Sequence, residues 1–140
     1  MDKSLWAALI PHQGTMCLLD EVIAWDDAHL HARTASHRRP DNPLRSDGRV
    51  RALHLCEYGA QAMAVHGALC AHAQGGRAQP GMLVSLRAVH LHAERADDLP
   101  GDLDVYAERL LAGDTGWQYA FRIEHAGVLL AEGRAAVMVA

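Results

Sequence analysis

The side chains best placed for proton-transfer chemistry lie within residues 50–74. Glu57 is the single carboxylate in this mostly apolar stretch, with His54 three residues before it and Gln61 four residues after it. Residues three and four apart on a helix share a face, so these side chains would lie together. Burying an acid costs several kcal/mol unless it is neutralised or partnered, and such a cost usually serves a role. Glu57 is therefore our first candidate for acid or base chemistry.

The stretch that carries Glu57 predicts one long helix buried at the centre of the chain. Residues 50–74 contain no proline, are rich in Ala, Leu, Met and Val, and show no wide polar face. A helix that is apolar around most of its circumference must be wrapped by the rest of its domain. Charged residues and histidines interrupt the apolar run, so we expect no membrane span here.

The flanks of this helix carry start and stop signals. Ser46 and Asp47 are typical N-cap residues and are predicted to cap the long helix. Residues 75–80, which contain two glycines and a proline, are predicted to end it. At the N-terminus, Ser4 is predicted to cap a short helix over residues 4–9.

The remaining sequence predicts strands and turns. Alternating and apolar runs bounded by turn-forming residues are typical of antiparallel strands. We predict strands over residues 16–25, 29–36, 81–94, 103–111, 117–126 and 128–139. The order indicates one α+β domain over residues 1–140, in which a curled antiparallel sheet wraps around a single central helix.

Composition excludes several classes of function. The chain has 140 residues, a formal net charge of −4 with interspersed signs, and one Phe. It therefore has an aliphatic core and no basic stripe of the kind that binds nucleic acid. No Gly-rich phosphate loop and no Gly-x-Ser-x-Gly elbow is present, so nucleotide binding and serine hydrolysis are not supported. We expect no metal and no cofactor, because paired histidines alone are too few ligands: His29 with His31, and His90 with His92.

Three cysteines bear on the cellular compartment. Cys17, Cys56 and Cys70 are an odd number and form no paired motif. This pattern is typical of a reducing compartment rather than of a disulfide framework. We therefore expect a cytoplasmic protein.

Two motifs resemble those of a known family. Residues 10–22 (IPHQGTMCLLDEV) resemble the opening motif of the β-hydroxyacyl-acyl carrier protein dehydratases, and residues 57–62 (EYGAQA) resemble the Glu-Ala-Met-Ala-Gln segment on their central helix. More closely, the chain is similar to the dehydratase-like proteins of aryl-polyene-type polyketide and fatty acid clusters. The resemblance implies the hot-dog fold, a long helix wrapped by a sheet, and elimination of water from a 3-hydroxyacyl thioester to give a trans-2-enoyl thioester.

The chain departs from the family in two places. The family's catalytic His lies in a Gly-His-Phe-Pro loop ahead of the helix Glu, where this chain has Asn42, Pro43 and Leu44. The family's helix opens with Pro-Gly, where this chain has Arg51 and Ala52. The resemblance therefore leaves the base to another residue, and the candidates are His12 and His54, with His37 less favoured.

The resemblance also implies roles for the other residues. Dehydration needs a base for the α-proton, an acid for the leaving hydroxyl and donors for the thioester oxygen. Glu57 suits the acid, since desolvation favours its protonated form. Backbone N–H groups of the first helical turn, near Arg51 and Ala52, are expected to bind the substrate carbonyl. Gln61 is expected to hold Glu57 or the facing loop and to contribute to substrate binding, and Asp20 is expected to anchor a loop.

The resemblance finally implies an oligomer. Hot-dog proteins pair their sheets, and the family's site spans that interface, so we expect a homodimer or a hetero-oligomer with a related hot-dog subunit that supplies the missing base. The expected substrate is a thioester of acyl carrier protein or coenzyme A. Two alternatives stay open: a hot-dog thioesterase, which would release free acid, and a non-catalytic acyl-binding or partner subunit.

Overall fold

The computed structural model describes residues 1–78 and 81–139. One helix, α1 (Leu55–Ala73), packs against a six-stranded antiparallel sheet with the strand order β1-β2-β4-β5-β6-β3. The strands are β1 (Glu21–Trp25), β2 (His29–Thr34), β3 (Gly81–Leu91), β4 (Leu103–Ala112), β5 (Gly116–His125) and β6 (Val128–Val139). The predicted α+β layout, with one long helix and an antiparallel sheet, is confirmed.

The core lies between α1 and the inner face of the sheet. The helix contacts β2, β4, β5 and β6 with side chains that are mostly small or aliphatic. The chain's one Phe, Phe121, lies opposite Gly133 across the β5–β6 pair and beneath Gly59 of α1. A Cβ at Gly59 would lie 2.4 Å from Phe121 Cδ2, and one at Gly133 would lie 2.8 Å from its Cζ. Two glycines therefore make the room that the Phe121 ring occupies.

The long helix begins later than predicted. It starts at Leu55 after a 3₁₀ turn (Ala52–His54), and Ser46 and Asp47 lie in a preceding turn instead of capping it. The reason is a long-range contact. Val50 N–H donates to Asp97 Oδ1, and Ala52 N–H donates to Glu94 O, which holds residues 50–52 in line with residues 94–97.

The predicted end of the helix is close to the observed one. The helix ends at Ala73, and Gly75 follows with a φ of 81°, a conformation that glycine adopts without strain. Two residues of the predicted terminating segment, Gln79 and Pro80, lie outside the described residues.

The N-terminal segment also differs from its prediction. Asp2, not Ser4, caps the first of two 3₁₀ turns, since Ser4 N–H donates to Asp2 Oδ1 at 2.8 Å. The first strand begins at Glu21 instead of residue 16, because residues 14–16 form a third 3₁₀ turn. In the segment that follows this turn, Leu18 N–H donates to the Gln61 side chain of α1, and Asp20 N–H donates to Arg33 O of β2.

One edge of the sheet is apolar and open. Within the described residues, β3 pairs only with β6, and its first eight residues are exposed on both faces. They include Met82, Leu83, Val84 and Leu86, which we call the β3 edge. An exposed apolar edge strand is a template for pairing with another chain. No helix in the described part of the chain is long and apolar enough to cross a membrane.

Candidate active site

Glu57 lies in the first turn of α1 and faces the loop formed by residues 11–16. Its Oε1 accepts a hydrogen bond from Gln61 Nε2 at 3.2 Å and lies 3.7 Å from His12 Nε2. The side chain is 35% exposed. The expectation of a fully buried acid is therefore wrong for the single chain, because the first turn of the helix reaches the surface and the loop covers only part of it.

Gln61 joins the helix to this loop. It is fully buried, and its Oε1 accepts the Leu18 N–H at 2.8 Å while its Nε2 donates to Met16 O at 2.6 Å as well as to Glu57. A donor on one side and an acceptor on the other fix the orientation of the amide. The prediction that Gln61 holds Glu57 or the facing loop is confirmed, since it holds both. Direct contact of Gln61 with substrate stays a prediction.

His12 reaches Glu57 from the opposite side of the site. Its Nε2 faces the carboxylate, and its side chain is 26% exposed. Its Nδ1 is shielded from solvent and has no hydrogen-bond partner among the described residues. The loop that carries His12 is fastened by Gln13, whose Nε2 donates to Ala7 O and Ile10 O. The loop formed by this sequence motif therefore holds the His12 imidazole beside the Glu57 carboxylate.

The other two candidate imidazoles are used elsewhere. His54 Nδ1 accepts the Arg51 N–H at 3.1 Å, so this ring closes the turn before the helix, and no ion pair joins it to Glu57 in the described part of the chain. His37 is fully buried and donates through Nε2 to Leu99 O at 3.0 Å. Burial lowers the pKa of His37 below its usual range. Of the three candidates, the structure brings only His12 to Glu57.

Three of the backbone N–H groups ahead of the helix already have acceptors. Val50 N–H donates to Asp97, Arg51 N–H to His54, and Ala52 N–H to Glu94 O at 3.1 Å. Binding of substrate by Arg51 and Ala52 stays a prediction, but their N–H groups are engaged within the chain. The next N–H, that of Leu53, has no acceptor among the residues that the structure describes. The Leu53 N–H lacks an acceptor because it lies at the start of the helical segment, where N–H groups have no partner within the helix. The sequence pattern does not predict where this start lies.

A buried polar cluster anchors the loop opposite the helix start. The hydroxyl of Tyr58, the residue after Glu57, accepts a hydrogen bond from Asn42 Nδ2 at 2.9 Å and bonds to Ser36 Oγ at 2.8 Å. Burial raises the pKa of Tyr58. The segment in which the family carries its catalytic His is therefore tied to α1 by Asn42.

Asp20 anchors the same region, as predicted. Its Oδ2 accepts the Ala35 N–H at 2.8 Å, and its Oδ1 accepts from Arg39 at 2.7 Å. With both oxygens used in this way, Asp20 holds the chain after β2 in place.

The far end of α1 carries a separate buried pair. His66 Nδ1 bonds to Tyr119 Oη at 2.7 Å, and its Nε2 donates to Asp26 O at 2.9 Å. Burial raises the pKa of Tyr119 to about 12. His66 is therefore a buried residue that joins α1 to β5 and to the turn after β1. Within residues 1–78 and 81–139, no group of three or more His, Cys, Asp or Glu side chains is placed to hold a metal ion.

Comparison with known proteins gives a family model and several structures. The model described as ApeP-like, ApeP dehydratase, matches residues 5–140. The dehydratase heterocomplex ApeI:P from Xenorhabdus doucetiae is 25% identical, with 94% of this chain and 88% of that chain covered and a TM-score of 0.83. No curated protein matches the chain.

More distant structures share the fold. A hypothetical thioesterase with coenzyme A from Streptococcus pneumoniae is 15% identical, with 86% of this chain and 84% of that chain covered and a TM-score of 0.63. AziG from S. sahachiroi is 18% identical, with 85% and 89% covered and a TM-score of 0.61. These matches confirm the predicted hot-dog fold.

Proposed function

This chain belongs to the ApeP-like dehydratase family, and we propose that it removes water from 3-hydroxyacyl thioesters carried by acyl carrier protein. Its activity is that of a dehydratase. The observation that carries the substrate proposal is the pairing of Glu57 with His12 at the start of α1, with Gln61 fixing the carboxylate.

The geometry suits an elimination across two adjacent carbons. The α-hydrogen and the β-hydroxyl of a 3-hydroxyacyl thioester are neighbours, so the groups that act on them must lie within a few ångström of each other. Glu57 Oε1 and His12 Nε2 are 3.7 Å apart, and both side chains are partly open to solvent. A donor for the thioester oxygen is also available, since the Leu53 N–H, which has no acceptor in the described part of the chain, lies in the turn just ahead of the helix.

The partner that we propose is a second hot-dog subunit, paired antiparallel along the β3 edge. Three observations support it. The β3 edge is apolar and exposed on both faces. The pair formed by Glu57 and His12 is only partly covered in the single chain. The similar dehydratase from Xenorhabdus doucetiae is a heterocomplex. A partner that lies along this edge would bury apolar surface and limit access of water to the site.

The compartment that we propose is the cytoplasm. Cys17 and Cys56 are buried thiols, and Cys70 is partly buried, and all three are free. Burial raises the pKa of Cys56 and of Cys70, so these two thiols are poor thiolates. Free, unreactive thiols are compatible with a reducing environment.

Mass spectrometry of the acyl carrier tests the substrate proposal. A 3-hydroxyacyl-acyl carrier protein would be incubated with this chain alone, and with this chain mixed with its hot-dog partner. We expect loss of one water from the acyl group. Free acid and unloaded carrier would instead mean a thioesterase. An unchanged acyl group in both mixtures, or the same loss of water with the partner alone as in the mixture, would mean that this chain is not catalytic and would overturn the proposal.

A further inference from the structure

The two nitrogens of His12 lie in opposite settings. Nδ1 is shielded from solvent and has no partner in the described part of the chain, whereas Nε2 faces Glu57 Oε1 at 3.7 Å. A neutral imidazole carries one hydrogen on either nitrogen, and an imidazolium carries one on each. The surroundings therefore distinguish between the protonation forms of this ring.

Two contacts favour the form with its hydrogen on Nε2. A hydrogen on Nδ1 would be a buried donor without an acceptor, and orphaned buried N–H groups are rarer in proteins than under-used acceptors. With the hydrogen on Nδ1, the lone pair of Nε2 would also face the carboxylate of Glu57. With the hydrogen on Nε2, a donor instead of a lone pair lies 3.7 Å from the carboxylate oxygen, which is the electrostatically favourable arrangement.

We propose that His12 works as a neutral hydrogen-bond donor through Nε2–H, and that Glu57 alone takes and returns the proton of the dehydration. This inference rests on the proposed function. To act as a base, His12 would have to accept a proton at Nε2, which requires the hydrogen to sit on the buried Nδ1 first. Glu57 has no such restriction, because its second oxygen is free of the Gln61 contact.

In the resulting reaction, the carboxylate of Glu57 both takes up and returns the proton. The carboxylate of Glu57 takes the hydrogen from C2, and the electron pair of that C–H bond forms the C2=C3 double bond. The C3–O bond breaks, and the leaving hydroxyl receives the proton from Glu57 and departs as water. His12 Nε2–H donates to the hydroxyl oxygen as negative charge builds on it, and Glu57 returns to the carboxylate form.

The tautomer of His12 is measured directly by nitrogen-15 NMR of the folded chain near neutral pH. The signals of His12 are assigned by their loss in His12→Gln. We expect a hydrogen on Nε2 and a bare Nδ1. A ring with its hydrogen on Nδ1, or with both nitrogens protonated, would overturn the proposal. This readout needs no substrate, so it stands even if the proposed substrate proves wrong.

Kinetics separate a donor from a base. Gln offers an amide N–H near the position of Nε2 but cannot act as a base. We expect His12→Gln to keep the dehydration rate within about 10-fold and His12→Ala to lose about 100-fold, as for removal of one preorganised donor. His72→Gln, which changes an exposed imidazole in the last turn of α1, is the matched control and should keep the rate. Equal losses in His12→Gln and His12→Ala would make His12 the base and refute the inference.

Discussion

The amide of Gln61 donates to Glu57 Oε1 at 3.2 Å from one turn further along α1, while its oxygen accepts the Leu18 N–H of the N-terminal segment at 2.8 Å. A single buried side chain thus positions both Glu57 and the segment that follows the His12 loop. The helix carboxylate and the loop that bears His12 have no direct backbone connection, and Gln61 couples their positions.

Removing this amide should destabilise the whole chain. Gln61→Ala leaves the Leu18 N–H and Met16 O without partners, and each buried unpaired group costs about 1–3 kcal/mol. We expect the free energy of unfolding to fall by about 2–4 kcal/mol and Tm by about 10 °C in a thermal melt. Gln118→Ala is the control, because the Gln118 side chain is half-buried and, among the described residues, accepts one hydrogen bond, from Arg87. If Tm fell equally in the two variants, Gln61 would not be holding the N-terminal segment to α1.

The limits of sequence reasoning are visible in these same residues. The motifs around His12 and Glu57 indicated both chemical groups and the long helix, because that information is local. The helix start at Leu55 is not encoded locally, since it depends on hydrogen bonds from Val50 and Ala52 to residues distant in the chain. The burial of His37 against Leu99 and the partial exposure of Glu57 are likewise tertiary effects that spacing does not report.

The fit of Phe121 against the helix gives a second prediction. Gly59→Ala would place a Cβ 2.4 Å from the Phe121 ring, and overpacking of this kind costs about 1–3 kcal/mol. Gly67→Ala, on the same helix, meets nothing within 4 Å and should stabilise by about 0.5–1 kcal/mol. Chemical denaturation measures both.

A rescue variant checks the cause of that loss. Phe121→Leu in the Gly59→Ala background removes the edge of the ring and should recover part of the stability. If Gly59→Ala stabilised the chain as Gly67→Ala does, the described packing of Phe121 beneath α1 would be wrong.

Asp97 holds the segment before α1 through its hydrogen bond from Val50 N–H, and it titrates at low pH. Asp97 accepts from Arg95 and from Val50 N–H, and the hydrogen bond from Arg95 does most to lower the pKa of Asp97 from its usual value of 3.8 to about 2. The depressed pKa contributes stability above about pH 4, and this contribution is lost as the pH falls toward 2. Asp97→Asn should therefore lower Tm at neutral pH.

The pH dependence of Tm distinguishes the specific role of Asp97 from the effect of removing any nearby carboxylate. The difference in Tm between the parent chain and Asp97→Asn should shrink below about pH 4 and disappear as the pH falls through about 2. Asp98→Asn removes a neighbouring carboxylate that is 57% exposed and 3.8 Å from Arg95, and it should change Tm little at any pH. A constant difference across the whole range would argue against the assigned role of Asp97.

The β3 edge is expected to carry the partner. Val84, which is 48% exposed, would be changed to Lys, since charge on an edge strand opposes pairing with another strand. We expect the complex with the hot-dog partner to be lost in size-exclusion chromatography with light scattering, while Tm of the single chain stays the same. Leu111→Lys, at a site 59% exposed at the end of β4, should leave the complex intact. Retention of the complex by Val84→Lys would place the partner elsewhere.

The most direct test of the account is the rate of dehydration of a 3-hydroxyacyl-acyl carrier protein by Glu57→Gln, assayed with the hot-dog partner present. The amide oxygen of the new Gln still accepts from Gln61, so the fold and Tm should hold. Without a group that transfers the proton, kcat should fall by at least about 100-fold. Glu132→Gln, on the sheet beside His92, is the control and should keep the parent rate. If Glu57→Gln kept the parent rate as well, the chemistry would not run through Glu57, and the central claim would be contradicted.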